Sequence, residues 1–229
     1  MPATTGEQPT FSIVGRCDRT GEIGVAVASG TIAVGARSAQ ARSGAGAVVI
    51  QNAASPALVR ETLDLLQSDL GPAASLSLLT DDRVDIEFRQ ILMIDRRGDG
   101  GHFTGRQVAR QSAVCEVRNA VAGGCGLGSA MLPSAIIMAF DERADRPLAA
   151  RLIAGLAAGC KQLTADEAVH SAFLSVAGRQ KWPHIDLRVD WHQSSPVSIL
   201  RGLWDGYRPD IERHIGLALH PGRPGAGPA

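Results

Sequence analysis

Apolar and polar positions along this chain fall into short runs separated by turn-forming residues. Thr10-Phe11-Ser12-Ile13-Val14 is followed by the polar stretch Asp18-Arg19-Thr20-Gly21-Glu22 and then by Ile23-Gly24-Val25-Ala26-Val27-Ala28-Ser29. This pattern predicts a β-hairpin. Its second strand consists of small and β-branched residues, which suits burial on both faces. Gly30 to Gly46, rich in Gly, Ala and Ser, predicts a short strand near Thr31–Val34 and a turn. Ala47 to Asn52 reads as a further buried strand.

Helical patterns begin at Ser55-Pro56, where Ser suits the N-cap and Pro the first helical position. Val59, Leu63, Leu66 and Leu70 then form one stripe that Gly71 ends, and a second short helix covers Pro72 to Leu79. Glu87 to Asp95 returns to strand, and Arg97–Gly101 turns it back into His102–Gly105. Arg118–Ala122 predicts a strand running into the glycine-rich Gly123–Ser129. Helices are predicted from Leu132 to Asp141 and from Pro147 to Ala158. Ser171–Val176 reads as a strand, although Thr164-Ala165-Asp166-Glu167 resembles a capping box and leaves a helix there open. Ile185–Trp191 alternates as a strand, Pro196–Tyr207 and Asp210–Leu219 read as helices, and a Gly/Pro-rich tail from Pro221 is expected to be disordered.

Runs of strands alternating with paired helices predict an α+β protein. Two sheets packed face to face with helix pairs outside would explain strands as apolar as residues 23–28 and 47–50. With neither repeat nor linker visible, the expected organisation is a polar extension over residues 1–9, one domain over 10–220 and the tail over 221–229.

Composition narrows the function classes. Acidic and basic residues balance at 23 each among 229 residues, so no basic field points to nucleic acid. Residues 1–9 lack the apolar core of a signal peptide, and no apolar run reaches the roughly 20 residues that cross a bilayer. Cys17, Cys115, Cys125 and Cys160 are scattered without a CxxC pair, which suits reduced thiols in a cytoplasm. No His/Asp/Glu cluster has metal-ligand spacing, and neither metal nor cofactor is expected.

The opening block carries the strongest chemical signal. A threonine at the head of a buried strand can act as a nucleophile when its α-amine is free, because the amine serves as its base. Asp186, Arg188 and Asp190 share one strand face by the period-two rule; they either line a pocket in which Arg188 grips a carboxylate or form a solvated, self-paired face. His192 beside them reads as a surface residue. Gly123–Ser129 is either an anion-binding nest or a tight turn, and Cys125 within it is a candidate thiol nucleophile. Pro2, exposed by Met removal, is a remote candidate base.

Several blocks together resemble bacterial domain-of-unknown-function family 1028. They are Thr10–Val14, Thr20–Ser29 and Ala33-Val34-Gly35, with echoes at Gly44–Val48, Arg89-Gln90, Asp95 and Phe103-Thr104-Gly105. Asp186-Leu187-Arg188-Val189-Asp190, His192 and Pro196-Val197 extend the likeness, which spans most of residues 10–205. The family is similar to the N-terminal nucleophile hydrolases, which cleave amide bonds on a four-layer αββα fold. The resemblance implies Thr10 as nucleophile, Asn52 and Gln51 as oxyanion or substrate donors, and Ser29 beside Thr10 across the hairpin. The chain departs from the family where Gly123-Gly124-Cys125 replaces Gln-Gly-Asn, where only His170-Ser171-Ala172 remains of a longer Gly/Arg/Gln motif, and where a Trp-Ala-Gly-His segment is missing near Gln111–Glu116. Thr10 also follows nine residues, so freeing its amine requires cleavage after Pro9.

The function expected is hydrolysis of an amide or related C–N bond in a small, acidic substrate, with catalysis by Thr10, Ser29 and Asn52. Substrate contacts are expected from Gln51, Asp186, Arg188, Asp190 and Cys125. The alternative is a non-catalytic relative acting as a subunit or ligand-binding module. The partners expected are a small-molecule substrate and further copies of the chain in a homo-oligomer, with no nucleic acid and no membrane.

Overall fold

Ten strands and six α-helices make up the part of the chain that the computed structural model describes, residues 8–81, 83–108 and 111–222. In chain order they begin with β1 (Thr10–Arg16), β2 (Ile23–Ser29), β3 (Ala39–Arg42) and β4 (Gly46–Asn52). Then come α1 (Pro56–Gln67), α2 (Pro72–Thr80), β5 (Arg89–Asp95), β6 (Gly100–Thr104), β7 (Ala113–Val117) and β8 (Ala120–Cys125). The chain continues through α3 (Leu132–Asp141), α4 (Leu148–Cys160), β9 (Ser171–Ala177), β10 (Ile185–Val189), α5 (Pro196–Tyr207) and α6 (Ile211–Leu219).

The strands form two antiparallel sheets. One has the order β10-β9-β2-β1-β8-β7, and the other the order β3-β4-β5-β6. The predicted hairpin forms the centre of the larger sheet, with Thr10 opposite Ser29 and Arg16 opposite Ile23. Alternation along β1 sorts its side chains. Phe11 and Ile13 join Leu152, Leu156, Leu200 and Trp204 from α4 and α5, while Val14 joins Val49, Leu92 and Ile94 of the smaller sheet. A third apolar cluster sets Leu58, Leu63 and Leu66 of α1 against Val48, Ile50 and Met93. The chain is thus mixed helix and sheet, with β2 buried at every position as its composition required. Among the described residues no helix is long and apolar enough to cross a membrane.

Helix starts follow the expected local chemistry. The Ser55 side chain accepts a hydrogen bond from the Leu58 backbone N–H at 3.3 Å, and Pro56 occupies the first turn.

Four sequence expectations are corrected. No strand forms at Thr31–Val34: Ala33 takes φ 53°, Val34–Ala36 is a 3-10 turn, and the strand follows at β3 where a turn was expected. Close packing accounts for this, since a Cβ on Gly35 would lie 2.5 Å from the Phe173 ring. The strand expected at Arg118–Ala122 starts only at Ala120, because Asn119 adopts φ 66° in the β7–β8 turn. β7 itself went unpredicted, since its residues are mostly half-buried and carry little periodic signal. Val84–Phe88 is a 3-10 segment, so β5 begins at Arg89. Near Thr164, the Glu167 carboxylate accepts from the Thr164 N–H at 2.7 Å and the Gly128 N–H at 2.6 Å, which closes a turn and not a helix. Pro2 and residues 223–229 lie outside the described residues.

Candidate active site

The register of the β1–β2 ladder places two hydroxyls together at the end of the central strands. Thr10 Oγ1 lies 2.8 Å from Ser29 Oγ, and Ser29 Oγ lies 2.9 Å from Thr31 Oγ1. The Thr31 backbone N–H also donates to Ser29 Oγ at 3.1 Å. Arg37 closes the chain by donating from Nη2 to Thr31 Oγ1 at 2.7 Å. Its Nη1 donates to the Ile32 and Ala33 carbonyls at 2.6 and 2.9 Å, which pins the loop that carries Thr31. Three hydroxyls and a guanidinium therefore form a continuous hydrogen-bonded series from the head of β1 to the loop after β2.

These groups line a cleft of about 240 Å³ whose wall also includes Gln8, Gln51, Asn52 and Cys125. Arg37 is the only ionised side chain among the described residues of that wall. Ser29 is wholly buried and Thr10 is 9% exposed, so the Thr10 hydroxyl reaches the cleft by its edge. Cys125 reaches it because β8 pairs with the other side of β1, with Cys125 opposite Thr10.

Beneath the cleft the sheets share a buried polar ladder. Ser12 Oγ donates to Gln51 Oε1 at 2.9 Å, Gln51 Nε2 donates to Gln90 Oε1 at 2.5 Å, and Gln90 Nε2 donates to Thr104 Oγ1 at 3.0 Å. This satisfies a glutamine pair that would otherwise be costly to bury between sheets. Gln51 lines the cleft with its amide committed to this ladder. Asn52 lies at the mouth with φ 68°, and its Nδ2 donates to the Phe88 carbonyl at 2.8 Å.

The segment before Thr10 also belongs to the cleft. The Gly30 N–H donates to the Pro9 carbonyl at 2.8 Å, on the peptide bond whose nitrogen is Thr10's own. Gly30 suits this approach because a Cβ there would collide with the Gln8 side chain.

Three expected contributors lie elsewhere. Asp186 and Arg188 line a separate hollow with Arg60 and Phe173, where Arg188 Nε donates to Asp186 Oδ1 at 2.8 Å. The cause is strand order: β10 is the outer strand beyond β9, and β9 and β2 separate it from Thr10. Asp190 lies past the end of β10, exposed, with its backbone carbonyl accepting from the Ala33 N–H at 2.8 Å. Gly123 and Gly124 are strand residues and Gly126 (φ 65°) makes the turn, so no nest precedes a helix there. His192 Nδ1 accepts from the Ser194 and Ser195 N–H groups at 3.3 and 3.0 Å, which makes it a local turn partner ahead of α5.

Thr31, Arg37 and Gln8 were not anticipated. Arg37 had one available signal: with Arg42 it is one of only two charged residues in the otherwise uncharged, Gly/Ala/Ser-rich segment Gly30–Gly46. Among the described residues no three His, Cys, Asp or Glu side chains gather as a metal site would require.

The molecule is a mixed helix-and-sheet protein with two antiparallel sheets. The chain belongs to the family of unknown function DUF1028, whose model matches residues 10–200. A Silicibacter pomeroyi protein of the same family, solved by crystallography, is 27% identical and superposes with a TM-score of 0.80, covering 87% of this chain and 89% of its own. The ancestral β-subunit (Anbu) from Yersinia bercovieri is a remote neighbour at 13% identity and a TM-score of 0.37, over 95% of this chain and 99% of its own. No curated protein matches the chain.

Proposed function

We propose that this protein is an amide hydrolase of the N-terminal nucleophile kind, with Thr10 as nucleophile, on a four-layer αββα arrangement of its two sheets and flanking helices. The observation that carries the proposal is the Thr10–Ser29–Thr31–Arg37 series at the edge of a cleft. The family match, which begins at Thr10, supports it.

Activation requires cleavage of the Pro9–Thr10 bond. Thr10 Oγ1 attacks the Pro9 carbonyl carbon, the C–N bond breaks, and the proton passes to the Thr10 nitrogen. Water then hydrolyses the resulting ester, returning the hydroxyl and leaving a free amine. The Gly30 N–H already donates to the Pro9 carbonyl oxygen, where charge develops in that attack. The Thr10–Ser29 hydrogen bond holds the nucleophilic hydroxyl at the head of β1 for that attack.

In turnover the freed amine takes the proton from Thr10 Oγ1 as the hydroxyl attacks the substrate carbonyl, then returns it to the leaving amine. With Gln8 gone the cleft gains room, and at a few hundred Å³ it fits a small substrate. A β-lactone probe, which acylates amino-terminal threonine hydroxyls, is expected to add to Thr10 of the purified protein and not to Thr10→Ala. Equal labelling of both proteins would contradict the assignment.

A second reading draws on the Pro9–Thr10 bond itself, which ties up the nitrogen in the sequence as written. An uncleaved chain would use the same cleft to bind a small molecule without chemistry. It predicts that Thr10→Ala leaves the biological activity unchanged.

A further inference from the structure

The hollow that receives Asp186 and Arg188 has its own chemistry. It measures about 270 Å³ and draws its wall from the 3-10 turn before β3, β3 itself, the start of α1, β9, and β10 with the residues leading into it. Three guanidinium side chains line it, those of Arg37, Arg60 and Arg188, against a single carboxylate, Asp186. Arg188 is held by Asp186 and lies over the Phe173 ring, 5.2 Å from its centroid. Arg60 makes no hydrogen bond or ion pair among the described residues. Ser175 is 1% exposed on the same wall, and its buried hydroxyl has no partner. A buried hydroxyl is ordinarily hydrogen-bonded, so an orphan on the wall of a cationic hollow marks a position where a ligand oxygen belongs.

We propose that this hollow is a binding site for a small oxyanion, a phosphate or carboxylate group. Arg60 and Arg188 supply charge-assisted hydrogen bonds, and Ser175 Oγ supplies a neutral one. Planar guanidinium groups match such oxygens in pairs, which suits this ligand class better than a halide. Asp186 is the opposing element: it holds Arg188 in place and repels the anion. The size of the hollow restricts the ligand to a single anionic group or a short diacid. Arg37 borders both this hollow and the Thr10 cleft, so the two share a wall. The proposal does not depend on Thr10 being a nucleophile.

Isothermal titration of the full chain at constant ionic strength, with inorganic phosphate and with succinate as separate titrants, tests it. Saturable binding of at least one is expected, and the two titrants separate a phosphate ligand from a carboxylate ligand. Arg60→Gln should weaken binding about tenfold or more, and Ser175→Ala by about threefold to tenfold. Asp186→Asn should tighten it, which a merely structural role for Asp186 would not produce. Thr10→Ala should bind like the natural protein, so failure of the hydrolase assignment would leave this result intact. No saturable binding of either titrant, or unchanged affinity in both Arg60→Gln and Ser175→Ala, overturns the proposal.

Discussion

Thr10 and Ser29 face each other across the β1–β2 ladder with their hydroxyl oxygens 2.8 Å apart. The pairing is a direct consequence of antiparallel register: any hairpin closed at Asp18–Glu22 with these strand lengths brings the first residue of β1 beside the last of β2. Ser29 then hands the contact on to Thr31, and Thr31 to Arg37.

Ser29→Ala removes the middle of that series and leaves the buried Thr10 hydroxyl without its partner, while Thr31 keeps Arg37. A buried group orphaned in this way costs about 1–3 kcal/mol. We expect a fall in urea unfolding free energy within that range, together with roughly 100-fold slower release of the segment before Thr10, the scale of a nucleophile that has lost its positioning contact. Amino-terminal sequencing over time measures the second effect.

Gln51→Leu breaks the polar ladder between the sheets at two points, leaving Ser12 Oγ and Gln90 Oε1 without their partners while Gln90 keeps Thr104. A loss of about 1–3 kcal/mol is expected in chemical denaturation, with the strands still formed by circular dichroism. A neutral result would show that water replaces the amide.

Gly35→Ala tests the packing that replaced the predicted strand. Its Cβ would sit 2.5 Å from the buried Phe173 ring, so the 3-10 turn or the ring must shift. Overpacking of this kind costs about 1–3 kcal/mol. Thermal unfolding should report a lower midpoint, and retention of the natural value would show that the turn moves freely.

At the far end of the larger sheet, Glu22 Oε1 lies 3.2 Å from His184 Nε2. The hydrogen bond to His184 holds the Glu22 carboxyl below its ordinary range, against the opposing effect of burial, with Thr20 and Arg179 assisting. A depressed carboxyl contributes stability that is fully present above the unfolded value, about 4.3, and is lost as pH falls through the lower folded value. The natural protein should therefore lose more stability than Glu22→Gln between about pH 5 and pH 3. Parallel acid limbs in denaturant titrations would contradict this.

What the sequence made legible follows from how local each signal is. The hairpin, α1, α3 and α5 announce themselves through alternation, an apolar stripe and Ser-Pro or Pro starts, all properties of neighbouring residues. Thr10 and Ser29 could be paired in advance because one turn joins them. The separation of Arg188 from Thr10 could not, since it depends on β9 and β10 adding to the β2 side of the sheet, a long-range order that no local pattern encodes. Thr31 and Arg37 were hidden for the opposite reason. Their loop has no periodicity, and it takes its shape from Phe173, more than 130 residues later, and from Ser171, whose hydroxyl donates to the Thr31 carbonyl at 2.6 Å.

The central claim concerns the state of one peptide bond, and intact-mass spectrometry of the purified full-length protein reads it directly. The account predicts a species that begins at Thr10, together with an uncleaved Thr10→Ala variant of otherwise native fold. A natural protein that reacts with the β-lactone probe while every chain keeps its Pro9–Thr10 bond would contradict it.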